Sequence, residues 1–306
     1  MTKPRITVIG SYNTDLTIFT PRMPQPGETV LGKNFKTGPG GKGSNQAVAA
    51  ARLGADVTFV GRIGRDMFGE MARDLWAEEG IDASHVITDP THATGVASIL
   101  VDEGGENIIV VASGANWAVS AADAEQAEAA IAESKVLLMQ LETPLEAVQR
   151  ALEIARAHDV LTILNPAPGQ VLTPALLSLV DILTPNQSET AIISGSRQPD
   201  DIGMAQAVQK LGVNAVVMTQ GSAGVLLSDP AGAQRYPAFS PPGEAIDTTG
   251  AGDAFNGALA VALAEGHVLA DAIRFATAAA AISVTRPGAT DSMPTRDEVD
   301  ALLRGA

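Results

Sequence analysis

Two glycine-rich stretches, 38–45 and 247–255, hold the residues best suited to chemistry. The second reads Asp247-Thr248-Thr249-Gly250-Ala251-Gly252-Asp253-Ala254-Phe255. It lies between a short extended run, 244–246, and an Ala/Leu-rich run of helical length, 256–264. A turn that opens a helix leaves unpaired backbone N–H groups where the helix dipole is positive, which suits an anion. Gly250 and Gly252 let a ligand come close to the main chain. Asp253 is the odd residue, because a carboxylate repels an anion bound beside it. Its place makes sense if it takes the proton of a hydroxyl that attacks the anion. An ordinary glycine turn with an acidic residue in the first helical turn would read the same way. The first stretch, Gly38-Pro39-Gly40-Gly41-Lys42-Gly43-Ser44-Asn45, puts four glycines in six residues ahead of a helical composition at 46–53. Lys42 and Asn45 add donors for hydroxyls. A flexible loop before a helix is the plainer alternative.

Further polar residues fall where apolar runs end: Asn13 and Asp15 after 6–10, Glu142 after 136–140, Asn186 after 182–183, and Thr219 at the end of 215–219. Singly these are ordinary loop residues. Together they trace one edge of a parallel sheet, where open α/β proteins bind ligands. Asn186 and Glu189 put two oxygen-bearing side chains near a helix start, suited to the water shell of Mg²⁺ or to a simple N-cap. Gly221-Ser222-Ala223-Gly224 is a third glycine turn, fit for a nucleotide or for a hairpin corner.

Composition removes several classes. The 306-residue chain has no cysteine, so thiolate chemistry, disulfides and Cys-based zinc sites are out. A net charge of −15 argues against nucleic-acid binding, and 4% aromatics against extended base stacking. The four histidines lack metal-ligand spacing, and neither Gly-X-Ser-X-Gly nor a Gly-X-Gly-X-X-Gly after the first strand occurs. The segment 27–33 has P-loop spacing, but Asn34 replaces the required Ser/Thr. No apolar run is long enough to cross a membrane and no secretory leader is read at 1–9, so a soluble cytoplasmic protein is expected.

The elements that must position these residues alternate. Strands are expected at 6–10, 57–60, 136–140, 160–164, 182–183, 215–219, 225–227 and 236–239. Helices are expected at 46–53, 67–79, 121–133, 144–157, 174–180, around Glu189, and at 204–211, 251–264, 269–284 and 295–303. This order implies a mostly parallel sheet covered on both faces, a three-layer α/β/α fold. The Pro-rich segment 17–35, with extended character at 29–35, and the β-rich runs 94–101 and 107–111 around Glu103-Gly104-Gly105-Glu106 suggest a small separate sheet.

The segments 40–47 and 247–253 resemble the two signatures of the phosphofructokinase B (ribokinase-like) sugar kinases, and the likeness runs from about Ile6 to the C-terminus. Further resemblance lies in 139–146, 164–168 and 275–286. It implies one kinase domain over 1–306, with lid strands inserted from about 12–36 and 94–112, and phosphoryl transfer from ATP to a sugar, D-ribose at its 5-hydroxyl foremost. By it, Asn13, Asp15, Gly41, Lys42, Asn45 and Glu142 bind the sugar. Asp253 is the general base, and Gly250, Ala251 and Gly252 form the anion hole. Asn186, Thr219, Gly221, Ser222, Gly224, Gly252 and Thr277 line ATP, and Asn186 and Glu189 hold Mg²⁺ through water. K⁺ goes to Asp247, Thr249, Ser283, Arg286, Gly288 and Ser292, and a homodimer forms through the lid sheets. Gln187, Thr277 and Pro39 depart from residues common in the family, the first two near metal and adenine. A deoxyribokinase or another pentose or ketose kinase is the nearest alternative. A nucleoside kinase and a non-catalytic sugar- or nucleotide-binding regulator stand further off.

Overall fold

The structure is a computed structural model that describes residues 3–195 and 200–305. In chain order its strands are β1 (Arg5–Ile9), β2 (Asn13–Phe19), β3 (Asn34–Gly40), β4 (Asp56–Gly64), β5 (Asp82–Asp89), β6 (Gly95–Val101), β7 (Asn107–Ala112), β8 (Val136–Met139), β9 (Leu161–Leu164), β10 (Ile182–Leu183), β11 (Ala215–Thr219), β12 (Val225–Asp229) and β13 (Gly232–Tyr236). Its helices are α1 (Lys42–Arg52), α2 (Met67–Glu78), α3 (Ala121–Gln126), α4 (Glu128–Glu133), α5 (Leu145–Ala157), α6 (Pro174–Leu177), α7 (Gln187–Ser194), α8 (Asp201–Gln209), α9 (Ala251–Ala264), α10 (Leu269–Ser283) and α11 (Arg296–Arg304).

The strands are apolar on both faces because helices cover both. In β8, Val136 and Leu138 join one core while Leu137 and Met139 join the other. In β11, Ala215 and Val217 part from Val216 and Met218 in the same way. One core takes side chains from α1, α2, α9, α10 and α11, the other from α3 to α8. The large sheet has the order β13-β12-β11-β10-β9-β8-β1-β4-β5. It is parallel from β5 to β11, and β12 and β13 each pair antiparallel with the strand before. The expected α/β/α architecture with a mostly parallel sheet is therefore what forms.

A second sheet, in the order β3-β2-β6-β7, stands apart from the first. Its base is pinned by two side chains. Asp66, the N-cap of α2, accepts from Gly69 N (2.9 Å), Thr94 N (2.8 Å) and Thr94 Oγ1 (2.7 Å). Asn116 donates to the Tyr12 carbonyl (2.8 Å) and accepts from Tyr12 N (3.0 Å).

Several boundaries differ from expectation. Residues 38–40 are the end of strand β3 and α1 starts at Lys42, so the first glycine stretch is a strand-to-helix junction rather than a loop. Pairing with β2 holds it extended. Most of 29–35 is irregular, with the strand beginning only at Asn34. The expected strand at 236–239 ends at Tyr236 and begins at Gly232, set by pairing with β12. The helix expected at 121–133 breaks at Ala127 into α3 and α4. The edge strand β5 has no run of apolar residues to announce it.

The contact that matters most for the site is α1 against α9. A Cβ on Gly257 would lie 2.6 Å from Ala49 Cβ and 2.8 Å from the Gln46 carbonyl oxygen. Gly257→Ala adds helix propensity worth about 1 kcal/mol. It also overpacks the crossing, typically at about 1–3 kcal/mol. A net loss of stability in urea denaturation is expected. A variant more stable than the parent would show that the two helices are not held this tightly.

Candidate active site

The strand ends of the large sheet and the base of the small one converge on a polar hollow. Asp253 lies at its floor, 7% exposed, in the first turn of α9. Its Oδ2 accepts from Asn45 Nδ2 at 3.0 Å and its Oδ1 from Gln46 Nε2 at 2.9 Å. Burial pushes its pKa up. Lys42 and the two amides pull it back without cancelling the shift, and Glu142 adds to it. Lys42 faces Asp253, Glu142 and Glu189. Burial alone would depress this ammonium, but the three carboxylates carry it above the ordinary lysine range.

Glu142 ties the two halves of the hollow together. It accepts from the Lys42 backbone N–H (3.1 Å) and from Ser11 Oγ. Helix α1 begins after Gly41, which has no side chain to cap it, so Glu142 supplies an acceptor at the positive end of that helix. Gly41 itself has φ +87°, and a Cβ there would lie 2.6 Å from Asn13 N. Asn13 is buried and accepts from Asn116 Nδ2 at 2.9 Å. Asp15, on β2, is pushed up to about 7 by burial, then by Glu142 and Asp253. Three carboxylates and one ammonium thus share the hollow. Carboxylates accept and Asn and Lys donate, a set matched to a neutral ligand with several hydroxyls.

The turn before α9 has the free donors expected of it. Gly250 is left-handed at φ +77° and caps the helix without a side-chain bond. The N–H groups of Gly250, Gly252 and Asp253 have no hydrogen-bond partner among the described residues. That of Ala251 donates to the Thr248 carbonyl at 3.2 Å, so it points into the turn. Nothing lies within 4 Å of where a Gly252 Cβ would be, so the turn opens onto free space there. An anion could sit there against unpaired donors beside a buried carboxylate.

The remaining candidates group as follows. Thr219 ends β11, and Asn186, three residues past the end of β10, pairs with it in an isolated parallel bridge. Gly221 and Ser222 lie in the single turn that follows β11, with Gly224 at φ +93° closing it. Thr277 sits within α10, its hydroxyl donated to the Ile273 carbonyl at 2.6 Å. Asn186 and Glu189 form a reciprocal cap on α7, with Glu189 N to Asn186 Oδ1 and Asn186 N to Glu189 Oε2 both 2.8 Å. Glu189 keeps its other oxygen without a partner among the described residues. That free oxygen fits a group holding the waters of a divalent cation. Among the described residues no three His, Asp or Glu converge for direct coordination.

Asp247 accepts from Thr249 N (2.9 Å) and Gly288 N (2.8 Å), which joins the turn to the segment after α10. Burial would raise its pKa, but these bonds and Lys36 outweigh that and lower it. Arg286 turns its guanidinium to Glu298, and Ser283 and Ser292 donate to local carbonyls. The carboxylate and hydroxyl oxygens of this group are of the kind a hard monovalent cation takes, whereas Arg286, its guanidinium on Glu298, has only its main-chain carbonyl to offer. Sequence reasoning missed Ser11, Gln46, Asn116, Gln140 and Thr290, which hold the candidates in place. Gln46 and Gln140 fall within 40–47 and 139–146, two of the stretches that carry the family resemblance, but no residue type or spacing there marks either as a partner of Asp253.

The charge cluster generates a pH signature. Asp15 has a folded pKa of about 7 against an ordinary 3.8. Its contribution to stability is therefore fully present below about pH 4 and lost as pH rises through 7. Asp15→Asn should be the more stable protein at pH 8, by about 1 kcal/mol or more, with the gap closing toward pH 4. Urea titrations across that range test it. A gap that stays constant, or an Asn variant that is weaker at pH 8, would refute the assignment.

Comparison with known proteins bears on the whole chain. The pfkB family carbohydrate kinase profile matches residues 3–296. A ribokinase from Haemophilus influenzae is 46% identical over 304 residues, covering 98% of this chain and 99% of that protein. One from Bacillus subtilis is 41% identical, covering 97% and 99%. The solved structure of Arabidopsis thaliana ribokinase complexed with ribose and ATP superposes with a TM-score of 0.92 at 32% identity, covering 99% of each chain. With a matching profile over nearly its full length, two glycine signatures meeting at one buried aspartate, and the fold those relatives share, the chain belongs to the pfkB family of carbohydrate kinases.

Proposed function

We propose that this enzyme phosphorylates D-ribose at its 5-hydroxyl with ATP, giving D-ribose 5-phosphate and ADP. One observation carries the reading: a buried carboxylate, Asp253, lies beside unpaired N–H donors and within the hollow lined by Asp15, Glu142, Lys42 and Asn45. The ribokinases it resembles at 41–46% identity support the choice of sugar.

In this reading Asn13, Asp15, Gly41, Lys42, Asn45 and Glu142 hold the sugar hydroxyls. Asp253 takes the proton of the 5-hydroxyl while that oxygen attacks the γ-phosphorus and the bond to the ADP oxygen breaks. The raised pKa of Asp253 brings its basicity toward the operating pH. The free N–H groups of Gly250, Gly252 and Asp253 meet the charge that develops on the transferring group. ATP lies along Asn186, Thr219, Gly221, Ser222 and Gly224, with Thr277 beyond.

Asn186 and Glu189 would hold the waters of a Mg²⁺ carried with the nucleotide, which would supply positive charge to the phosphate oxygens. Asp247, Thr249, Ser283, Arg286, Gly288 and Ser292, several through their main-chain carbonyls, would hold K⁺, which would supply fixed positive charge behind the turn. The domain is read as one unit, with β2, β3, β6 and β7 as its lid. The absence of cysteine and the use of ATP fit the cytoplasm, and no described helix is long and apolar enough to cross a membrane.

The lid also serves as the dimer surface in this reading. Ile108, Ile109, Val110 and Val111 on β7 are 47–65% exposed, an apolar run at a sheet edge. Sedimentation should find a dimer, and Ile109→Glu should shift it to monomer. A parent protein that stays monomeric at micromolar concentration removes the dimer from the reading.

Coupled ADP release with ribose, 2-deoxyribose, fructose and adenosine, each with and without K⁺, tests the activity. Ribose should be turned over fastest, and faster with K⁺. Asp253→Asn should lower kcat by roughly 10²–10⁴-fold while ribose still binds. Equal use of the other acceptors overturns the choice of sugar. Near-normal turnover by Asp253→Asn overturns the assignment of the base.

A further inference from the structure

The carboxylate of Asp253 is held by a chain of buried amides that extends well beyond the residues lining the hollow. Gln46 is fully buried, so it cannot touch a bound ligand. Its Nε2 donates to Asp253 Oδ1 at 2.9 Å and to Asn165 Oδ1 at 3.2 Å. Both amide hydrogens are then used, and Oε1 must accept. It does so from Gln140 Nε2 at 2.6 Å. Asn165 passes the polarity on by donating Nδ2 to the Thr184 carbonyl at 3.0 Å. Thr184 Oγ1 donates to Asn256 Oδ1 at 2.6 Å, and Asn256 Nδ2 donates to the Gly252 carbonyl at 2.8 Å. The chain thus leaves α9 at Asp253 and returns to it at Gly252, inside the turn with the free donors.

We propose that Gln46 is the positioning residue for Asp253, fixing the direction of its carboxylate, and that Asn165 and Gln140, at the two ends of its amide, lock Gln46 in the one orientation that can do this. The proposal rests on Asp253 being the base. A flipped Gln46 would set its oxygen against the carboxylate and its NH₂ against the NH₂ of Gln140. It would also turn that oxygen on Asn165 Oδ1, whose amide is anchored by Nδ2 on the Thr184 carbonyl. All three contacts are repulsive, so the network has one polarity.

Gln140 gains and loses stability at its two ends: its Nε2 satisfies the buried Gln46 Oε1, while its own oxygen goes unpaired. Its Oε1 is buried with no hydrogen-bond partner among the described residues, pressed toward Gly10, where an added Cβ would meet it at 2.1 Å. An apolar side chain of similar length would remove that unpaired oxygen but would leave Gln46 Oε1 without its donor and loosen the hold on that amide. The charged groups facing Asp253 are Lys42 on α1, Asp15 on β2 and Glu142 beyond β8. None of them hydrogen-bonds to its carboxylate, so the amides alone set its direction.

The test uses Gln46→Leu, Gln140→Met, Asp253→Asn and the double variant Asp253→Asn/Gln46→Leu, with kcat and the ribose KM measured across pH. Gln46→Leu and Gln140→Met should each lower kcat by roughly 10- to 100-fold, the scale of a misplaced reacting group. The ribose KM should stay within about threefold, because neither side chain reaches the ligand. The acidic limb of kcat should move to higher pH, because Asp253 loses a donor that favours its charged form. Gln140→Met should move the melting temperature little, because it exchanges one buried unpaired oxygen for another. Adding Gln46→Leu to Asp253→Asn should change kcat less than about twofold, since no base remains to be positioned. If Asp253→Asn is nearly inactive but Gln46→Leu and Gln140→Met keep the parent kcat and pH limb, this proposal fails and the base stands. If both lose activity only in step with a lowered melting temperature, the role is structural and the proposal also fails. If Asp253→Asn keeps its turnover, the base assignment falls and this proposal with it.

Discussion

The rest of the site depends on one close crossing, α1 over α9 at Gly257. With no side chain at that position the two helices approach far enough for Asn45 and Gln46 to reach Asp253. A carboxylate buried this deeply is unstable unless donors surround it, and leaving a buried polar group unpaired costs about 1–3 kcal/mol. The two amides come from one helix and the carboxylate from another, so neither glycine signature makes a site alone.

That hollow concentrates repulsion. Asp15, Glu142 and Asp253 face one another with Lys42 among them, and Asp15 is pushed up to about 7 as a result. A protein gains nothing in stability from such an arrangement, and sites of this kind are held by the surrounding fold for their chemistry. Here the holding is done by groups off the ligand path. Asn116 fixes Asn13, Thr290 donates to Asn45 Oδ1 at 2.7 Å, and Ser11 bonds Glu142. Thr290 Oγ1 also reaches the Pro39 carbonyl at 3.0 Å, and Lys36 lies 3.7 Å from Asp291. The small sheet is therefore tied to the segment that carries Gly288, and Gly288 is bonded to Asp247 behind the turn. The sugar side, the lid and the back of the anion turn are mechanically one assembly.

Much of the architecture was legible because its causes are local. Runs such as Val136–Met139 and Ala215–Thr219, apolar at every buried position, imply a sheet covered on both faces. Gly250 before a long Ala/Leu run marks a helix start with free donors. Where a boundary was misread, a partner strand or helix had set it. Pairing with β2 stretches 38–40 into strand, and pairing with β12 places β13 at Gly232–Tyr236. The edge strand β5 carries too little hydrophobic pattern to be seen without its neighbour.

Read along the chain alone, residue types and spacing already supply a glycine turn that opens a helix, a carboxylate one step inside it, a second glycine stretch with donor side chains, and a parallel sheet to bring strand ends together. Which of these groups meet is settled by packing. Gln46 and Asp253 are 207 residues apart, and Asn116 and Asn13 are 103. Glutamine and asparagine have no periodicity or spacing that distinguishes a network member from a surface amide. Their partners are set by helix crossings and strand register, which follow from packing the whole core. The donors and acceptors were written along the chain, and the direction of each hydrogen bond was fixed only when burial left a single arrangement that satisfied the carboxylate.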